Sequence, residues 1–262
     1  MDNISTPKWD VEIYSLHLSG ASFRSANALI SANTGPGVDV GWVSSATVFL
    51  FYDQTLIGEV TLKDTIINTE LSDEVLVLDM EEFEIQDMIA FKSFIRDIMP
   101  KPQNKCQSDK NALIGKVEVI EKGHKLTMAI DLYGIGGLTM TKSEVMLIDD
   151  DLIQINFDFT NATSVEIFFG KAEFRLQKDL RLFLCLSGRF DIEAHETTSI
   201  TLEGKLDPYS RRQLSGNAVL TGHRLIPDGY SSRSYDKTWL IHALREFKIE
   251  VDLDRVFASK PV

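Results

Sequence analysis

The stretch Ala46-Thr47-Val48-Phe49-Leu50-Phe51-Tyr52, then Asp53-Gln54, then Leu56-Ile57-Gly58-Glu59-Val60-Thr61-Leu62 decides the fold class. Its β-branched and aromatic residues suit a pleated, half-buried surface, and its apolar positions lack the three-to-four-residue step of a helix. The polar pair between the two runs reads as a tight turn, so the segment is a β-hairpin. Further strands are expected at Leu29 to Ala32 and Val75 to Met80, and the spacing from Tyr14 to Phe83 is that of a sandwich. At Ile85 the period changes. Ile85, Met88, Ile89, Phe91, Phe94, Ile95 and Ile98 follow one another at helical steps until Pro100 and Pro102 stop them.

After a polar linker from Lys101 to Asn111, strands are expected at Leu113 to Ile120 and Lys125 to Leu132, with Gly134, Gly136 and Gly137 marking a second linker. The second half repeats the order. Strands are expected at Ser143 to Ile148, Leu152 to Phe159, Ser164 to Leu176, Leu180 to Leu186 and Thr198 to Leu206. A short amphipathic helix on Trp239, Leu240, Ala243, Leu244 and Phe247 and a strand at Ile249 to Leu253 follow. This repetition predicts a mainly β chain of two tandem sandwich domains, each with a short helix followed by a closing strand. The domains are expected over 1–124, with its helix at about 86–98, and 125–262, with its helix at about 237–247.

Leu152 to Thr163, ending in Asn161-Ala162-Thr163, and Lys171-Ala172-Glu173-Phe174-Arg175-Leu176 after it resemble the late-embryogenesis-abundant type-2, or water-stress, domain. In that family an apolar strand ends in an Asn-Pro-Asn or Asn-Pro-Thr turn before a hairpin. Ala28 to Thr34, followed by Ser45 to Tyr52 and Ile57 to Val60, echoes it in the first half. Both copies lack the proline, since Ala162 follows Asn161 and Thr34 follows Asn33. The resemblance implies a seven-stranded, fibronectin-like sandwich, duplicated as in tandem proteins of fungal type, and implies no chemistry. In size the chain is also similar to fungal hetero-Diels-Alder cyclases, which are cofactor-free, with no motif to carry that second likeness.

The 262 residues carry 27 basic and 39 acidic side chains, a net charge of −12, which repels phosphate backbones and speaks against nucleic-acid binding. No apolar run reaches the length of a membrane span, and Met1-Asp2-Asn3-Ile4-Ser5 does not open a signal peptide. The chain as given reads as cytoplasmic, or as secreted if a leader was removed. Cys185, in the apolar run Leu182 to Leu186, is expected to be buried and inert. Cys106 sits in the polar linker, and a bond between the two would need strand and linker to meet. Asn3-Ile4-Ser5 and Asn161-Ala162-Thr163 match the glycosylation pattern, which matters only in a secreted chain.

No Gly-x-Ser-x-Gly elbow is present, His17, His124, His195, His223 and His242 stand apart, and neither Asp79 to Glu84 nor Asp149-Asp150-Asp151 has the alternation of a calcium loop. Neither a metal nor a cofactor is therefore expected. The first acidic segment reads as a solvated face and the second as a turn. Arg211-Arg212 reads as a solvated hairpin tip.

Trp42, after Gly35-Pro36-Gly37, either guards a pocket mouth or plugs the end of the first sandwich, and Tyr52 stands at a hairpin end. Trp239, His242 and Arg245 fall at steps of three on the last helix. They can point together into a cavity, or Trp239 docks the helix while His242 and Arg245 stay at the solvent boundary. On the first reading an apolar, oxygen-bearing small molecule binds in the crevice between the domains. Trp42, Tyr52 and Trp239 would then hold it, and His242 and Arg245 would polarise it for a cofactor-free cyclisation of hetero-Diels-Alder type. The alternative is a non-catalytic stress-response or lipid-binding module, and a third reading is an adhesion-like β protein. Homo-oligomer formation stays open.

Overall fold

A computed structural model describes residues 9–20, 22–33, 41–52, 55–67, 75–99, 115–121, 124–130, 139–149, 151–179, 181–211, 214–227 and 238–258. Strands β1 (Trp9–Gly20), β2 (Ser25–Asn33), β3 (Gly41–Tyr52), β4 (Thr55–Ile67) and β5 (Val75–Ile85) precede helix α1 (Met88–Ile98), and β6 (Gly115–Glu121) and β7 (His124–Ile130) follow it. The second run is β8 (Thr139–Leu147), β9 (Leu152–Thr160), β10 (Val165–Lys178), β11 (Arg181–Ile192) and β12 (Thr197–Lys205), then a single turn of helix α2 (Pro208–Arg211) and β13 (Asn217–Leu225). Helix α3 (Trp239–Glu246), β14 (Lys248–Asp252), a 3-10 turn (Leu253–Arg255) and β15 (Val256–Ala258) complete it. No helix among the described residues is long and apolar enough to cross a membrane.

Strand pairing repeats with the sequence. With the strands of each run counted one to seven, and β14 and β15 taken as two ends of the seventh, both runs pair in the order 1-2-5-4-3-6-7. In both, the seventh returns parallel to the first, from Trp9↔Leu126 to Ile13↔Ile130 and from Val256↔Val145 to Ala258↔Leu147. The fourth and fifth strands barely touch: they pair only at Gly58↔Ile85 and Glu59↔Glu84 in one run and at Ser187↔Glu203 in the other. That weak seam splits each ring into a three-stranded and a four-stranded layer, a fibronectin-like β-sandwich.

The two helices occupy different places in the repeat. Helix α1 lies between the fifth and sixth strands, where the second run has only α2, and α3 lies between the sixth and seventh. The boundary expected at 124/125 falls at the start of β7, which pairs with β6 and β1. The passage from one run to the next therefore lies between Ile130 and Thr139.

β1 joins the two runs. A register shift between Ile13 and Ser15 divides it, and beyond the shift Leu16, His17 and Leu18 pair in parallel with Val165, Glu166 and Ile167 of β10. At this seam Ser15 and His17 both hold the Glu166 carboxylate, at 2.9 and 3.4 Å. The His17 hydrogen bond is the main cause of its lowered pKa, opposed by partial burial.

The core follows from period-two burial. β9 alternates strictly, burying Ile153, Ile155, Phe157 and Phe159. The second sandwich closes on phenylalanine: Phe190, fully buried, lies 5.0 to 5.9 Å from the ring centroids of Phe159, Phe169, Phe174 and Phe247. Each such side chain contributes roughly 1.5–3 kcal/mol by leaving water.

Cys185 departs from expectation. It sits in β11 opposite Arg175 and is exposed: a register shift against β10 between Leu182 and Leu184 breaks the alternation, so Phe183 and Leu184 are both buried, Cys185 turns outward and Leu186 is buried again. Cys106 and Asn3 lie outside the described residues, as do the Asp53-Gln54 turn and the linkers at 101–111 and 134–137.

Candidate functional site

Helix α1 starts on Asp87, whose carboxylate accepts from the backbone N–H of Ile89 and Ala90 at 2.8 and 2.9 Å, satisfying two of the free donors of the first turn. Its inner face buries Phe91, Phe94, Ile95 and Ile98, leaving Ile89 and Lys92 exposed. Helix α3 lies against β13 at Gly222. A Cβ there would stand 2.0 Å from the Leu244 carbonyl oxygen, so a side chain would lift the helix off the sheet. α3 also reaches across to the first run: its Trp239 indole donates to the Ser19 carbonyl at 3.3 Å, and its ring meets Phe91 edge-on at 5.1 Å.

Between α1 and α3 lies a groove lined by Met88, Phe91, Lys92, Ile95, Trp239, His242 and Glu246, with a cavity volume of about 70 Å³. That is well below the roughly 300 Å³ at which sites for whole small ligands begin. Phe23, 40% exposed, packs edge-on against His242 at 5.1 Å, and the Lys92 ammonium lies 6.0 Å from the same ring. Ile89 is 81% exposed on the outer face of α1. Burial, with Lys92 and Arg245 nearby, pushes the His242 imidazole below its ordinary pKa, and Glu246 opposes the shift.

Of the residues expected to share a site, Trp239 and His242 line the groove together. Tyr52 does not: it is buried beneath α1, edge-on to Phe94 at 5.3 Å, with its hydroxyl donating to Asp97 at 2.5 Å. Trp42 faces Ile66 in the register of β3 and β4, and its side chain lies outside the described residues. Arg245 turns away from the groove and donates its Nε–H to the His223 carbonyl at 3.3 Å.

That turn brings Arg245 to a cluster on β10 and β13. The Arg175 Nη2 lies 2.8 Å from His223 Nε2, and since a guanidinium only donates, Nε2 accepts and the imidazole proton is on Nδ1. Glu173 accepts from Arg224 at 2.8 Å and lies 3.8 Å from His223. Burial, followed by Arg175, lowers the His223 pKa; Arg224 and Arg245 add to this and Glu173 opposes it. The Arg175 Nε–H is buried without a partner. Glu173 and Arg175, two apart on one strand, and the dipeptide His223-Arg224 on the next were the only sequence signals for this cluster.

Asn161 is buried at the end of β9. Its amide donates to the carbonyls of Val165 and Glu193 at 2.8 and 2.9 Å, and its Oδ1 accepts from the Thr163 N–H and hydroxyl at 3.0 and 2.7 Å. The Asn-Ala-Thr triplet is therefore a structural turn whose acceptor nitrogen is committed. The acidic segments behave as expected where described: Asp79, Glu81, Glu82 and Glu84 are exposed around buried Met80 and Phe83, and Asp149 and Asp151 flank the β8–β9 turn.

No family model and no curated protein matches the sequence. Among solved structures, the chain is similar to an exo-chitosanase, CsxA of Amycolatopsis orientalis, at 10% identity and a TM-score of 0.25, covering 80% of this chain and 25% of that one. A CsxA structure concerned with inhibition of its exo-β-D-glucosaminidase activity gives 10% identity and a TM-score of 0.26 over the same shares. The CBD12 domain of CALX1.2 gives 6% identity and a TM-score of 0.18, covering 86% and 84%. The chain thus spans about a quarter of the length of CsxA, and scores this low carry no functional argument.

Proposed function

We propose that the chain is a non-catalytic tandem-sandwich module that takes up the end of an alkyl chain, from a lipid or another apolar ligand, in the groove between α1 and α3. The observation that carries the reading is the groove itself: its floor is Phe91, Ile95 and Trp239, its rim is Lys92, His242 and Glu246, and exposed Phe23 packs against that rim at His242. A cavity of about 70 Å³ suits the end of a single chain better than a site that must enclose both reacting ends of a substrate, so the lipid-binding reading is preferred to the cyclase. The likeness to late-embryogenesis-abundant type-2 domains points the same way. Titration with 1-octanol should shift the Trp239 indole N–H and His242 ring resonances saturably, and Met88→Trp, which fills the groove, should abolish the shift. Resonances unmoved by 1-octanol in the parent protein would overturn the reading.

A further inference from the structure

We propose that the Arg175–His223–Arg245 cluster is a binding site for a phosphate-bearing small molecule, separate from the α1–α3 groove. The chain carries a net charge of −12, yet here three guanidiniums, of Arg175, Arg224 and Arg245, gather around one imidazole and one carboxylate. That carboxylate, Glu173, is already engaged by Arg224 at 2.8 Å, which leaves the charges of Arg175 and Arg245 without an ionic partner among the described residues. Both heads are anchored on the same residue, Arg175 on the His223 ring at 2.8 Å and Arg245 on the His223 carbonyl at 3.3 Å. Each spends one donor there and keeps others for a ligand.

Cross-strand register adds polar groups beside the pair. Thr221 lies opposite Arg175, and exposed Lys248 lies opposite Thr221 one strand further out. The Arg175 Nε–H is closed to solvent and Arg245 spends its own on His223, so the donors left for a ligand are on the Nη atoms of the two guanidiniums. Two guanidiniums with a lysine beyond them match a tetrahedral dianion better than a singly charged carboxylate, because bidentate Arg–phosphate pairs use the fork geometry of both heads. His223 holds the Arg175 head in place by accepting at Nε2, and the donors left for the ligand are those of the two guanidiniums.

The test is a titration of the full chain with inorganic phosphate, and with acetate at equal ionic strength, read on the ring resonances of His223. The expected result is a saturable phosphate-dependent shift, at least about tenfold weaker in acetate. Arg175→Gln and Arg245→Gln should each weaken phosphate binding about tenfold or more, while Arg24→Gln, on the β1–β2 loop, leaves it unchanged. Arg245 is exposed and makes one hydrogen bond, so Arg245→Gln keeps the parent unfolding midpoint and separates loss of the site from loss of the fold. Glycerol 3-phosphate compared with phosphatidic-acid vesicles at equal phosphate tells a soluble ligand from a headgroup: binding of the soluble ester supports the proposal, and binding of vesicles alone overturns it. A non-saturable shift, equal response to acetate, or an Arg245→Gln protein that binds phosphate like the parent would also overturn it.

Discussion

Replacing Trp239 tests the joint between the two sandwiches, because this one side chain belongs to the second run and spends its contacts on the first. It is 2% exposed, meets Phe91 edge-on at 5.1 Å, and donates to the Ser19 carbonyl at 3.3 Å. Truncation to alanine removes a buried large aromatic, worth about 3–5 kcal/mol, and strands a carbonyl, worth about 1 kcal/mol more. Against a typical total stability of about 5–15 kcal/mol, that loss is enough to leave part of the population unfolded at room temperature. Trp239→Phe keeps most of the ring and loses the donor, so it should cost about 1–2 kcal/mol. Urea unfolding followed by circular dichroism measures both, and a double-mutant cycle with Phe91→Leu should return a coupling of about 0.5–1.5 kcal/mol. A cost below about 1 kcal/mol for Trp239→Ala, or no coupling to Phe91, would refute the role of this contact in joining the runs.

Gly222→Ala places a Cβ 2.0 Å from a backbone oxygen of α3 and should cost at least about 2 kcal/mol in thermal unfolding, whereas Gly170→Ala, with open space but a φ of +69°, should cost about 1 kcal/mol. His242 is held below its ordinary pKa in the folded state, so on acidification the unfolded chain takes the proton first. Stability should therefore fall as pH drops through the ordinary histidine range, until the folded-state pKa is passed. His242→Gln should remove part of that slope in pH-dependent denaturation, leaving the part of the same sign that His223 supplies. Cys185, being exposed, should react with a thiol reagent in the native protein at a rate within a few-fold of the denatured chain. Asn161→Ala strands two carbonyls and an N–H and should cost about 2–4 kcal/mol, and mass spectrometry of protein folded in a glycosylating host should find no glycan on Asn161.

Elements whose burial follows their own period were legible in the sequence. The alternation of Leu152–Thr160 and the helical steps from Met88 to Ile98 place both elements within a residue or two of where they form. β13 was not: Asn217–Leu225 contains Gly222, His223 and Arg224, and its pattern is broken by a register shift opposite Glu173 and Phe174, so its burial is set by partners distant in sequence. Cys185 misled for a related reason, since an apolar run shows that a strand is buried on one face without showing which residues turn outward. Of the site, the spacing of Trp239 and His242 was readable, while their meeting with Phe91 and Lys92 depends on packing between two helices about 150 residues apart. Arg245 shares the helical step yet serves the strand beneath, a choice that spacing alone does not make.

β1 pairs along its length with β2, β7 and β10, and these partners leave the ribosome at very different times. β2 follows at once, but Leu126 comes more than 100 residues after its partner Trp9, and Val165 about 150 residues after Leu16. At translation speeds of about 5–20 residues per second, β1 waits roughly 6–30 s with one hydrogen-bonding edge open. During that interval it is a template for any other extended chain, including a neighbouring copy on the same message. The strand that joins the two halves of the finished molecule is thus the one most exposed to mispairing while the molecule is being made, and nascent-chain association should be strongest for chains arrested before β7 and weakest once β10 has emerged.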